Sequence, residues 1–84
     1  MSFKIIWDKE SHDSLNKLEN NISRRIYHKV EELSENHFSK DIKKLKGCND
    51  FRLRVGDYRI IFSIENTIIQ ILKVGHRRNI YKKL

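Results

Sequence analysis

The stretch FRLRVGDYRIIF, from Phe51 to Phe62, constrains the fold more than any other part of the chain. Phe51, Leu53 and Val55 alternate with polar residues up to Gly56-Asp57, and Tyr58, Ile60 and Phe62 resume the alternation beyond it. Period-two alternation is the mark of a strand with one buried face, and Gly-Asp suits a two-residue type I′ or II′ hairpin turn. Pairing across such a turn puts Val55 opposite Tyr58, Arg54 opposite Arg59, Leu53 opposite Ile60 and Phe51 opposite Phe62. One face is then apolar, while Arg52, Arg54 and Arg59 share the other. Directly opposed like charges cost a few tenths to about 1 kcal/mol. Snorkelling of the side chains into water would limit that cost. An anion held between the guanidinium forks would turn the cluster to use, because the forks bind phosphate oxygens in pairs.

The elements around the hairpin follow from periodicity. FKIIW (Phe3–Trp7) reads as a short strand with Phe3, Ile5 and Trp7 on one face, and Asp8 or Ser11 is placed to cap a helix. Leu15, Leu18, Ile22, Ile26, Val30 and Leu33 recur at spacings of 3, 4, 4, 4 and 3, a helical stripe. Glu19-Asn20-Asn21 should interrupt it, with Asn20 or Asn21 capping a second helix from about Ile22 to Glu35 and ENH at 35–37 ending it. FSKDIKKLKGCND reads as a basic connector anchored by Ile42 and Leu45. Strands are expected over Phe51–Val55, Tyr58–Ile64 and Thr67–Val74, with a second turn at Glu65-Asn66, and a short basic tail follows Gly75. The expected fold class is α+β: an N-terminal strand, a two-helix hairpin, then a three-stranded antiparallel meander, with the helices on one sheet face and residues 1–84 forming one domain.

Charge is distributed unevenly. Residues 1–39 carry six Lys/Arg against seven Asp/Glu, whereas residues 40–84 carry twelve against four. A basic half favours a polyanionic partner: nucleic acid, an anionic membrane surface or an acidic protein. Cys48 is the only cysteine in the sequence, which leaves no disulfide framework and no Cys/His zinc spacing, and a reducing cytoplasm fits that usage. His12, His28 and His37 show no metal spacing and read as helix-surface residues. No cofactor is called for. The opening MSFKIIWDKE lacks the apolar run of a signal peptide, and TIIQILKV is too short to span a bilayer, so no membrane role is expected. With the second turn as drawn, Leu72 lies opposite Arg59 and Val74 opposite Asp57. Arg77 can then reach the corner occupied by Arg54 and Arg59, in a pocket that also holds His76 and Tyr81.

At this point the sequence resembles the RelE/ParE toxin superfamily, on its RelE side. The carriers are DIKKLKG, FRLRVGDYRIIF and ILKVGHRRNIY in that order, and the likeness covers nearly the whole chain. The resemblance implies a toxin of a type II toxin–antitoxin system: a ribosome-dependent endoribonuclease that cuts translated mRNA in the A site. The cut is an attack of the ribose 2′-hydroxyl on the adjacent phosphate. It implies partners too, the ribosome with its mRNA and a cognate acidic RelB-like antitoxin that wraps the toxin in a hetero-oligomer and displaces the tail. By motif, catalysis would fall to Arg54, Arg59, Arg77, Tyr81 and His76. RNA binding would fall to Arg52, Lys43, Lys44, Lys46 and Arg78. Asn49 and Asp50 stand where some members carry an extra lysine, and only YKKL remains after Ile80 where most members continue. Two other readings share the fold: a ParE-like inhibitor of DNA gyrase, and an RNA-binding module without catalysis.

Overall fold

The structure is a computed structural model that describes residues 3–35, 41–45 and 50–80. Its hairpin forms as the alternation requires. Strands β3 (Asp50–Val55) and β4 (Tyr58–Glu65) pair antiparallel, with Arg54 opposite Arg59, Leu53 opposite Ile60 and Phe51 opposite Phe62. Gly56 takes a φ of 59°, the left-handed conformation that a tight hairpin turn needs at its first central position and that glycine adopts without steric cost. Leu53, Val55, Ile60 and Phe62 are buried, and the rings of Phe51 and Phe62 stack with centroids 5.5 Å apart.

The remaining elements are β1 (Lys4–Trp7), α1 (Lys9–Asn16), α2 (Asn20–Glu31), β2 (Ile42–Lys44) and β5 (Ile68–His76), with a 3₁₀ turn at Glu32–Ser34. The five strands make one mixed sheet in the order β1-β5-β4-β3-β2, in which β1 runs parallel to β5. Helix residues Leu15, Ile26 and Val30, with Leu33, pack against Leu53, Val55, Ile60, Phe62, Ile69 and Ile71 of the sheet in one core. The α+β architecture with helices over one sheet face is therefore as expected. The other face is largely open, although Ile61 is buried there, between Arg52 of β3 and Lys73 of β5 in the register.

Four local expectations are corrected. The basic connector contains a strand: β2 pairs antiparallel with β3 (Ile42 opposite Leu53, Lys43 opposite Arg52), so the meander has four strands rather than three. Three residues are too few for alternation to show, and the pairing comes from the free edge of β3. Helix α2 starts at Asn20, with Glu19 at the cap position and no side-chain cap, and it ends in the 3₁₀ turn instead of running to Glu35. The capping of the first helix is as read: Asp8 Oδ1 accepts from the Ser11 N–H at 2.8 Å.

The second turn sits at Asn66-Thr67, with Asn66 in the left-handed region at φ 56° and Glu65 paired with Ile68. Asn tolerates that conformation better than most residues. A bulge then inserts Leu72 between Ile71, opposite Phe62, and Lys73, opposite Ile61. The two changes together put Gly75, not Leu72, opposite Arg59 and carry β5 on to His76, opposite Tyr58. Beyond it the chain turns, with Asn79 N–H donating to the His76 carbonyl at 2.9 Å. Ile80 is buried, and its Cβ and Cδ1 lie 3.5 Å from where a Cβ on Gly75 would stand. The tail thus folds back with Ile80 packed over Gly75 at the end of β5.

Candidate phosphate-binding cleft

The sheet's rim at the Gly56-Asp57 turn is open to a cleft of about 500 Å³. Arg54 and Arg59 enter it from paired strands, and Arg77 enters from the turn after β5. The shift of register improves this convergence. The Arg77 N–H donates to the Asp57 carbonyl at 2.8 Å, so Arg77 itself occupies the place opposite Asp57 that the drawn register gave to Val74. Arg25 and Lys29, one turn apart on α2, supply a further wall, and Asp41 and Asp57 complete the charged lining. Five cationic side chains thus face two carboxylates.

Three of the arginines are steadied by oxygen. Arg54 Nη2 lies 3.0 Å from Asp41 Oδ1, a charge-assisted hydrogen bond. Arg59 Nη1 donates to the Gly56 and Tyr58 carbonyls at 2.8 and 2.9 Å. Arg77 Nε lies 3.8 Å from Asp57 Oδ1, an exposed and loose ion pair. These acceptors explain how Arg54 and Arg59 stand as cross-strand neighbours: each fork is turned toward a different oxygen. Exposed pairs of this kind contribute little to stability, so the cluster is not there to hold the fold together.

The other sequence-derived candidates among the described residues are placed elsewhere. Arg52 lies on the same sheet face as Arg54 but further along β3, opposite Lys43 and Ile61, and does not line the cleft. Lys43 and Lys44 are exposed on the edge strand β2; Lys43 shares the face of Arg52, whereas Lys44 pairs with Phe51 and so belongs to the other face. His76 is paired with Tyr58, edge-to-face at 5.4 Å, on the helix-covered side of the sheet. Its Nδ1 accepts from the Arg78 N–H at 3.2 Å, which puts the proton of the neutral ring on Nε2. Arg78 is exposed in the turn and does not line the cleft. Lys46 and Tyr81 lie outside the described residues.

Sequence reasoning missed Arg25 and Lys29. Their signal is present, since both flank the apolar stripe of Ile22, Ile26 and Val30. Finding them required knowing which end of α2 faces the Gly56 turn, and that is tertiary information. Among the described residues no group of three or more His, Cys, Asp or Glu could hold a metal ion. No described helix is long and apolar enough to cross a membrane. Among the described residues lining the cleft there is no histidine or cysteine. What this lining offers chemically is positive charge and hydrogen-bond donors in a preset arrangement, suited to phosphate.

Comparison with known proteins bears on the family and the fold. Residues 5–81 match the family model described as the ParE toxin of the type II toxin–antitoxin system parDE. The chain is 36% identical to Toxin RelE3 of Methanocaldococcus jannaschii, over 93% of this chain and 94% of that protein. Among solved structures, it is similar to the archaeal RelE-RelB complex from Pyrococcus horikoshii OT3, with a TM-score of 0.82, 28% identity and coverage of 94% of this chain and 99% of that one. It is also similar to the RelB-RelE antitoxin-toxin complex from Methanococcus jannaschii, with a TM-score of 0.77, 31% identity and coverage of 94% and 98%.

Proposed function

Because the chain belongs to the RelE/ParE superfamily of type II toxin–antitoxin toxins, we propose that its cleft grips mRNA in the ribosomal A site and cuts it as an endoribonuclease. The observation that carries this reading is the meeting of Arg54 and Arg59, from the two strands of one hairpin, with Arg77, from the turn after β5, in one cleft. An attack of the ribose 2′-hydroxyl on the neighbouring phosphorus forms the new P–O bond of a cyclic phosphate and releases the 5′-oxygen of the next nucleotide. The dianionic phosphorane between these states gains more negative charge than the starting diester, so fixed cations stabilise it selectively. Arg59 and Arg77 are placed to grip the two non-bridging oxygens, with Arg54 beside them. Their present acceptors, two main-chain carbonyls and a carboxylate at 3.8 Å, are ones that a phosphate can displace.

The 2′-hydroxyl gives its proton to water as it attacks, and the departing 5′-oxygen takes one from water. His76 faces the helix side and bonds its own turn, so it serves the tail's shape. Tyr81, which the resemblance places near the scissile bond, remains the proposed residue for orienting a base. The antitoxin partner follows from the family and from the RelE-RelB complexes that this chain is similar to, and the basic cleft and open arginine face are the surface that an acidic partner would cover.

Gyrase inhibition is a second reading, favoured by one observation: the family model that matches is the ParE one. Primer extension on translated mRNA after induction separates the two. Cuts within codons support the endoribonuclease, while broken or relaxed DNA with intact mRNA would replace it with gyrase inhibition.

A further inference from the structure

We propose that the α2 wall of the cleft is a second nucleotide subsite, in which Arg25 binds the phosphate of the nucleotide flanking the scissile one and the adjoining hollow takes its base. The inference rests on the cleft being an RNA site and goes beyond it by fixing where the strand continues.

Three observations point this way. The side chains of Arg54, Arg59 and Arg77 each have an oxygen acceptor within the fold, whereas the Arg25 guanidinium makes no hydrogen bond or ion pair among the described residues. It is a fork with its donors open, on the cleft wall that faces the other three. Second, its guanidinium is positioned at the turn: Arg25 Nη1 lies 3.5 Å from where a Cβ on Gly56 would stand, an ordinary contact distance that puts the fork against the turn's main chain. Third, Arg25 borders two spaces. One is the cleft, and the other is a hollow of about 240 Å³ walled by Ile22, Ile26, Val55 and Tyr58 together with Gly56 and Asp57 of the turn.

A hollow with aliphatic walls, a tyrosine ring and a carboxylate, opening beside a guanidinium, matches a nucleotide: a flat base with apolar faces and polar edges joined to a phosphate. A carboxylate of an acidic peptide entering the hollow would meet the Asp57 carboxylate, whereas a base is neutral and can donate a hydrogen bond to it. Lys29, one turn further along α2, extends the same wall, and its partner Glu32 is an exposed carboxylate 3.6 Å away. The strand would then run from the Arg59–Arg77 corner over the Gly56-Asp57 turn toward α2.

The test uses the full chain and fluorescein-labelled 2′-deoxy oligonucleotides, which lack the attacking hydroxyl and cannot be cut. Affinity is read by anisotropy across a salt series. A three-phosphodiester probe should bind the parent more tightly than a one-phosphodiester probe, and an abasic site at the flanking nucleotide should cost about tenfold. Arg25→Gln should abolish the gain from the longer probe and lower the salt slope by about 0.7, the value for one phosphate of a single strand, while Arg25→Lys keeps the slope. Equal binding of the abasic and intact probes would overturn the base hollow. An unchanged slope in Arg25→Gln would overturn the phosphate subsite, as would an Arg25 effect confined to an acidic peptide of matched charge. Arg59→Ala separates the premise from the inference. If it leaves the one-phosphodiester probe equally bound, or if the parent binds no probe, the cleft is not an RNA site.

Discussion

At the scale of single residues, the cleft is a set of cations held in place by weak local acceptors. Asp57 is the clearest example, since its main-chain carbonyl fixes Arg77 at 2.8 Å while its carboxylate stands only loosely by the Arg77 side chain at 3.8 Å. Asp57→Asn should keep the turn, because Asn suits it equally well, and should remove a negative charge that competes with phosphate. Single-stranded oligonucleotides are expected to bind this variant more tightly by no more than about fivefold, since an exposed pair is worth under about 1 kcal/mol. Weaker binding, measured by anisotropy, would show instead that the carboxylate positions Arg77 for the ligand. Arg54 and Arg59 were legible as cross-strand neighbours because alternation and a Gly-Asp turn leave a single register. Arg25 was not, because nothing in a helical stripe says which of its flanks meets a distant turn.

At the scale of elements, the cleft depends on how α1 and β5 are tied together. Ser11 is fully buried on α1, and its hydroxyl lies 2.9 Å from the Ile71 carbonyl of β5 and 3.0 Å from the Asp8 carbonyl, sharing its proton between them. Ile71 is the last residue before the bulge at Leu72, the point from which the strand's register shifts toward Arg77. Ser11→Ala should cost about 1 kcal/mol in urea unfolding, the net worth of one buried hydrogen bond, with little change in packed volume. No change in midpoint would mean that the tie carries none of the stability. The α1 cap, the helical stripe and the three longer strands could be read directly from spacing. The three-residue β2 could not, and the position of the bulge could not either: the apolar phase changes from Ile69 and Ile71 to Leu72 and Val74, and the doubled Ile71-Leu72 does not say which of the two is the extra residue. The turn at Asn66-Thr67 was misplaced by one residue for a related reason, since Glu-Asn and Asn-Thr both contain an asparagine able to adopt positive φ.

At the scale of the whole molecule, a +7 chain concentrates its charge in residues 40–84 and folds them into a sheet whose open face and rim carry the arginines. The helices contribute the covered face and, through Arg25 and Lys29, a further part of the basic rim. An acidic antitoxin bound to such a surface should lose affinity as salt rises from about 0.1 M to about 0.5 M, because the Debye length falls across that range. A complex equally tight at both would point to an apolar interface over the helices. The family and the α+β fold were legible because several short motifs occur in order at fixed distances. The site was legible only as far as its arginines, because the α2 wall is created by packing. The central claim is that Arg59 and Arg77 act on one phosphate, and a double-mutant cycle on the mRNA cleavage rate tests it most directly. Arg59→Ala and Arg77→Ala should each lower the rate by about 10²-fold or more. The double variant should lose far less than the product of the two, since residues acting as a unit are not additive. Losses that multiply in full would mean that the two arginines serve separate sites, contradicting a single phosphate-gripping cleft.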